Sequence, residues 1–187
     1  MKMLKKLLAI VLTGAMALTL LTACGSNAVT EKDIVDAMND MAKAAEEGVT
    51  FTPQAKEREL AKAIAALSDE ELKELEESLK HSSLPEKAEE ILGINADGEN
   101  ETSRFVWCGV IYTDGLGVSG QAIQFMTQVF DRPVNIDKLR GKNPADDRYM
   151  GTALYKTVDE NGKQVTKRII VVLSLIHISE PTRLALI

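Results

Sequence analysis

Asp114-Gly115-Leu116-Gly117-Val118-Ser119-Gly120 is the stretch whose residue types and spacing come nearest to chemistry. It follows an apolar run, Phe105 to Tyr112, and precedes an apparent helix from Gln121 to Phe130. Glycines at 115, 117 and 120 would let backbone N–H groups approach an anion at a helix N-terminus, where the dipole favours negative charge. Asp114 works against a phosphate there, because its carboxylate carries the same sign. Ser119 is not spaced as a nucleophile on a tight elbow, since Gly120 follows it one place too early. It reads instead as the helix N-cap. The chain has two histidines, His81 and His177. His81 falls at a helix end, where a cation complements the dipole. Cys108 lies in an apolar run with nothing beside it to lower its pKa, which describes an inert buried thiol.

Gly115-x-Gly117-x-x-Gly120, with Asp137 about twenty residues on, resembles the Rossmann dinucleotide fingerprint. That resemblance implies a nucleotide cofactor and repeated βαβ units. The elements that follow read as an antiparallel hairpin, so no cofactor is expected. Asp114, Gly115, Gly117, Ser119 and Gly120 remain a candidate loop for a small ligand. The competing reading is a plain strand-to-helix turn.

Leu21-Thr22-Ala23-Cys24 ends a run of 17 almost wholly apolar residues, Leu7 to Ala23, which follows Lys2, Lys5 and Lys6. A positive start, an apolar core and a small-residue cut site describe a secretory signal. A run of this length is at the short limit for a membrane span. The motif resembles the lipobox of bacterial lipoprotein precursors. The resemblance covers residues 1–25. It implies cleavage before Cys24, a lipid on the Cys24 sulfur, and residence on the extracytoplasmic face of the cell membrane. Two acyl chains or more anchor stably where one is marginal. A tether of residues 24–29 is short, so the folded part is expected to lie close to the membrane.

The chain carries 22 basic and 28 acidic residues, a net charge of −6, unevenly divided. Residues 24–100 hold 8 basic and 19 acidic residues, whereas residues 101–172 hold 10 and 8. No basic stripe exists to neutralise phosphates, which argues against nucleic acid as a partner. The acidic half is repelled by an anionic membrane, leaving the lipid to hold the chain there.

Residues 30–93 read as four short helices. Thr30-Glu31-Lys32-Asp33 and Ser68-Asp69-Glu70-Glu71 are capping boxes. Gly48 is the expected stop of the first helix and Gly93 of the fourth. Val49-Thr50-Phe51 reads as a connector, Thr52-Pro53 as the start of the second helix, and Ser83-Leu84-Pro85-Glu86 as that of the fourth. Their apolar stripes are expected to pack on one another and on the second half. The acids Glu70, Glu71, Glu74, Glu76 and Glu77 read as a solvated face. Asn95 to Glu101 is a polar, turn-rich break whose spacing does not fit a calcium loop.

Residues 94–172 read as an α+β segment. Phe105 to Tyr112, apolar on both faces, predicts a central strand. Met150 to Val158 and Lys163 to Val172 predict a hairpin around Asn161-Gly162. A two-residue loop would pair Glu160 with Lys163, Thr157 with Thr166 and Tyr155 with Arg168, leaving Leu154 and Ile169 facing the core.

Leu173-Ser174-Leu175-Ile176-His177-Ile178-Ser179-Glu180-Pro181-Thr182-Arg183 resembles, codon by codon, an in-frame translation of a transposase-based sequencing adapter. The resemblance implies that residues 173–187 are not native sequence, that His177 is no candidate ligand, and that the native C-terminus after Val172 is left open.

The expectation is an α+β protein, with an acidic N-terminal helical segment on a small, mainly antiparallel sheet carrying one crossing helix. The function expected is that of an anchored binding or envelope-interaction module, its partner an envelope protein or a small ligand. A small enzyme or ligand-binding domain using the turn at 114–120 is the alternative.

Overall fold

The computed structural model describes residues 29–94, 104–128, 133–135, 139 and 141–175. The signal-like leader, Cys24, the 95–101 loop, Asp137 and the tail beyond Leu175 lie outside the described residues. Among the described residues, five helices surround a four-stranded sheet of strand order β1-β3-β4-β2, where β1 is Thr50–Pro53, β2 Arg104–Tyr112, β3 Asp147–Val158 and β4 Gln164–Leu175. The β1–β3 pair is parallel and the other two are antiparallel. The protein is α+β, with a mainly antiparallel sheet.

Helices cover both faces. Even-numbered residues of β2 share a face with odd-numbered residues of β3 and β4. On the first face α1 (Glu31–Ala44) contributes Ile34, Val35, Met38 and Ala42, and α5 (Val118–Gln128) contributes Ala122, Phe125 and Met126. These meet Phe51, Phe105, Trp107, Ile111, Met150, Ile170 and Val172. The second face receives α2 (Ala55–Ala65), α3 (Asp69–Lys80) and α4 (Glu86–Leu92) through Ala61, Ile64, Leu72, Leu75, Ala88 and Leu92. Their sheet partners are Val106, Cys108, Tyr155, Ile169, Val171 and Leu173. Each fully buried Leu or Ile contributes about 1.5–3 kcal/mol. This two-sided covering explains why Lys167 to Ser174 is buried without alternation.

It also explains a correction. β2 is an edge strand, not a central one. It is apolar on both faces because helices lie on both, whatever its place in the order.

Both capping boxes form. Asp33 N–H donates to Thr30 Oγ1 at 3.2 Å, and Thr30 N–H donates to Asp33 Oδ2 at 2.9 Å. Ser68 and Glu71 repeat the exchange. The stops differ from expectation. α1 ends with Glu46 in the left-handed region, φ 58°, and Glu47 N–H reaching Ala42 O, so Gly48 is not its terminator. α3 ends in the same way on Ser82, φ 56°, with His81 as its C-cap. Gly93, φ 68°, does end α4. Thr52-Pro53 belongs to β1, because its backbone pairs with β3 before the chain can coil, and α2 starts after Gln54 without a side-chain cap. α4 is preceded by Pro85, and the Ser83 hydroxyl donates to Ser78 O instead.

The hairpin forms one register away from that expected. Val158 pairs with Gln164, Thr157 with Val165, Tyr155 with Lys167 and Leu154 with Arg168. The connection is five residues, Asp159 to Lys163, held by the Asp159 carboxylate accepting from Asn161 N–H and Lys163 N–H at 2.9 and 2.8 Å. Gly162 still supplies the positive φ, 77°. A one-residue shift changes which side chains share a face. Leu154 is therefore 54% exposed and aligned with Arg168, while Ile169 is fully buried beside Ala153.

Candidate functional site

The glycine turn closes between Thr113 and Leu116, whose N–H donates to Thr113 O at 3.1 Å. Gly115 holds its third position at φ +75°, which a side chain would strain. The Asp114 carboxylate faces β4 and accepts from Thr166 N–H at 3.0 Å. Thr113 donates to Thr166 O through both its N–H and its hydroxyl. The sequence places a candidate ligand loop here; the tertiary structure uses the same groups to tie the turn to the hairpin.

α5 starts at Val118, so Ser119 lies inside its first turn and is not the N-cap; the residue ahead of the helix is Gly117. A Cβ at Gly120 would lie 3.1 Å from Leu116 Cδ2, so this glycine serves close packing of the turn on its own helix. Among the described residues β2 pairs with β4 alone, and antiparallel, so the turn is not seen in a βαβ unit of the dinucleotide-binding kind.

Behind the turn lies a polar network that patterning did not reveal. Gln121 Nε2 donates to Leu116 O at 3.1 Å, while its Oε1 accepts from Arg168 Nε at 3.1 Å. Arg168 also donates to Thr152 Oγ1 at 2.9 Å and to Val29 O at 2.8 Å. Burial pulls its guanidinium pKa down, with Glu31 acting the other way. Glu31 accepts from Thr152 N–H at 2.7 Å and from Arg58 Nη2 at 2.6 Å. Five elements thus meet around one arginine. The available signal was a pair of cations, Lys167 and Arg168, inside an otherwise apolar strand.

Lys167 points to the other face. It lies 2.6 Å from Glu76 Oε2 and 4.9 Å from the Tyr112 ring centre. Tyr155 hydroxyl donates to Glu76 Oε1 at 2.7 Å. Burial, then the Glu76 carboxylate, pushes the Tyr155 pKa far above its usual value. Glu76, expected on a solvated face, instead binds α3 to β3 and β4. Arg148 is a third buried cation, over the Trp107 ring at 4.8 Å and 2.6 Å from Ser174 Oγ, with a further bond to Ala145 O. Burial lowers its pKa to about 10. Ser174 lies within the adapter-like stretch, yet β4 runs through it to Leu175. Cys108 is buried, and desolvation raises its thiol pKa to about 12.

Among the described residues, no group of three or more His, Cys, Asp or Glu side chains is placed to hold a metal, and no helix is long and apolar enough to cross a membrane. No protein-family model, curated protein or solved structure matches the chain.

At five positions along the sheet edges, side chains take up outward backbone groups. Asn39 does so at Phe51, Glu31 at Thr152, Asn135 at Arg104 and Val106, and Gln124 at Tyr112. β1 covers β3 only from Asp147 to Met150. Beyond Thr152, the outer edge of β3 carries the exposed side chains of Leu154, Lys156 and Val158.

Proposed function

We propose that the chain is a lipid-anchored extracytoplasmic lipoprotein that works as a binding or envelope-interaction module. Cys24 carries the lipid, the cell membrane is the anchor, and an envelope protein is the favoured partner over a small ligand or nucleic acid. The observation that carries the binding reading is the engagement of Asp114 with Thr166 N–H. That bond commits the only acid of the glycine turn to holding the hairpin, and so favours binding elsewhere over chemistry at the turn.

The N-terminal geometry fits the anchor. Val29 O accepts from Arg168, so the chain enters the fold on the α1 face of the hairpin. Five peptide links separate Cys24 from Val29, a reach of at most about 18 Å. A folded part so tethered stays beside the bilayer.

Metabolic labelling with an alkyne-bearing palmitate analogue tests the anchor. Label on the wild-type chain and its loss in Cys24→Ser supports it; equal labelling of both, or none of either, overturns it. Gly117→Phe tests the alternative at the turn. Loss of a measured ligand or substrate effect at unchanged thermal stability would move the function to residues 114–120. A change in stability alone keeps them as a turn.

A further inference from the structure

We infer that the outer edge of β3 from Leu154 to Val158 is a docking strand for an extended peptide segment of a partner protein, with the alternation apolar-x-acidic-x-apolar. The inference deepens the binding-module reading and rests on it.

Backbone direction is the first argument. In an antiparallel pair, residues alternate between bonding the partner strand and pointing away from it. Met150 O accepts from Gln54 N–H and Thr152 N–H donates to Glu31, so even-numbered residues of β3 direct their backbone groups away from β4. Leu154, Lys156 and Val158 continue that series. An unpaired edge of this kind is a template for strand addition.

Contrast with five other outward-facing positions is the second. Phe51, Thr152, Arg104, Val106 and Tyr112 each have an outward group bonded by a side chain. The outward groups of Leu154, Lys156 and Val158 have no such partner among the described residues. Among the described residues, two of the four large apolar side chains left exposed, Leu154 at 54% and Val158 at 55%, stand on this one segment. Both lie on the same face, two positions either side of Lys156.

Charge decides the occupant. A second copy pairing antiparallel about Lys156 would set two lysines directly opposite, which is unfavourable. A lysine on an edge strand commonly opposes self-association. A partner strand with an acid at that position and apolar residues two places either side satisfies all three side chains.

Hydrogen exchange by NMR on the full chain, held in detergent micelles, provides the test. The probe is a synthetic peptide containing Val-Thr-Glu-Thr-Val, compared with the same peptide carrying Lys in place of Glu. The expected result is slowed exchange at the amides of Leu154, Lys156 and Val158 with the acidic probe, and about fivefold weaker binding of the basic one. Lys156→Glu, an exposed change that leaves the core intact, should reverse that preference. Equal binding of both probes, or protection elsewhere only, overturns the inference. So does concentration-dependent protection without peptide, the mark of a second copy at this edge, or protection by phosphatidylglycerol vesicles alone. If the acidic probe fails while a cross-linked envelope partner maps to another surface, the docking strand is wrong and the binding-module reading stands. Turnover without stable binding removes both.

Discussion

Asn39 completes the backbone of Phe51 as a strand would. Its Nδ2 donates to Phe51 O at 2.9 Å, and its Oδ1 accepts from Phe51 N–H at 2.7 Å. A side-chain amide has the same donor and acceptor as a peptide, so α1 closes the outer edge of β1 without a further strand. Asn135 does the same at β2, accepting from Val106 N–H at 3.0 Å and donating to Arg104 O at 3.0 Å. Asn39→Ala should cost about 1–3 kcal/mol, the range for exposing paired backbone groups that are part-buried. Asn39→Asp should also destabilise, since a carboxylate cannot donate to Phe51 O. Urea midpoints of the two variants measure this; a midpoint unchanged in both would refute the role.

Glu76 is expected to matter more than its neighbours on α3. Glu76→Ala leaves Lys167 buried without its carboxylate and should destabilise by about 2–3 kcal/mol. Glu74→Ala, on an exposed position, should lie within about 0.5 kcal/mol of wild type. Replacing Glu76 and Lys167 together by Met should recover most of the loss, because no charge is then stranded. Chemical denaturation of all three variants checks the order.

The helix stops at Glu46 and Ser82 invite improvement. Both residues sit at positive φ, 58° and 56°, a region glycine enters without the Cβ penalty. Glu46→Gly and Ser82→Gly should each stabilise by about 0.5 kcal/mol, the gain being partly offset by a freer unfolded chain. Calorimetric melting temperatures should rise for both; a fall in both would refute the argument.

Gly151 admits no side chain. A Cβ there would run into the backbone of Glu57 and Arg58, where α2 crosses β3. Gly151→Ala should cost about 2–4 kcal/mol, since backbone on one side and strand on the other must move. Gly141→Ala, with nothing within 4 Å, carries only the backbone cost of its φ of +76° and should be milder. Comparison of their unfolding midpoints decides it.

Acid should weaken the α3–α4 contact. Bonding to Lys87, then to Ser68, lowers the Glu71 pKa from 4.5 to about 2. A depressed folded pKa contributes stability above the unfolded value, and that contribution is lost as pH falls from about 4.5 to about 2. Glu71→Gln should remove this part of the pH dependence. A carboxyl NMR titration of Glu71 with its midpoint near 4.5 would refute the assignment.

Local signals carried much of this protein. The capping boxes at Thr30 and Ser68, the apolar stripes of the helices, Gly93 and the limits of β2 were legible because each depends on residues a few places apart. The α+β class followed from the same patterns, as did the expectation that the helices pack on the sheet. Other features depended on contacts between distant parts of the chain. Thr52-Pro53 became strand because β3 lay beside it. Glu76 read as part of a solvated face until the fold brought Lys167 to it, and no local pattern showed that Glu31 and Arg168 would meet Thr152 and Gln121. Spacing in the glycine stretch could not reveal that Asp114 would meet Thr166, 52 positions later. Periodicity reports which face of an element is buried; only tertiary packing decides which polar groups must share the space left over.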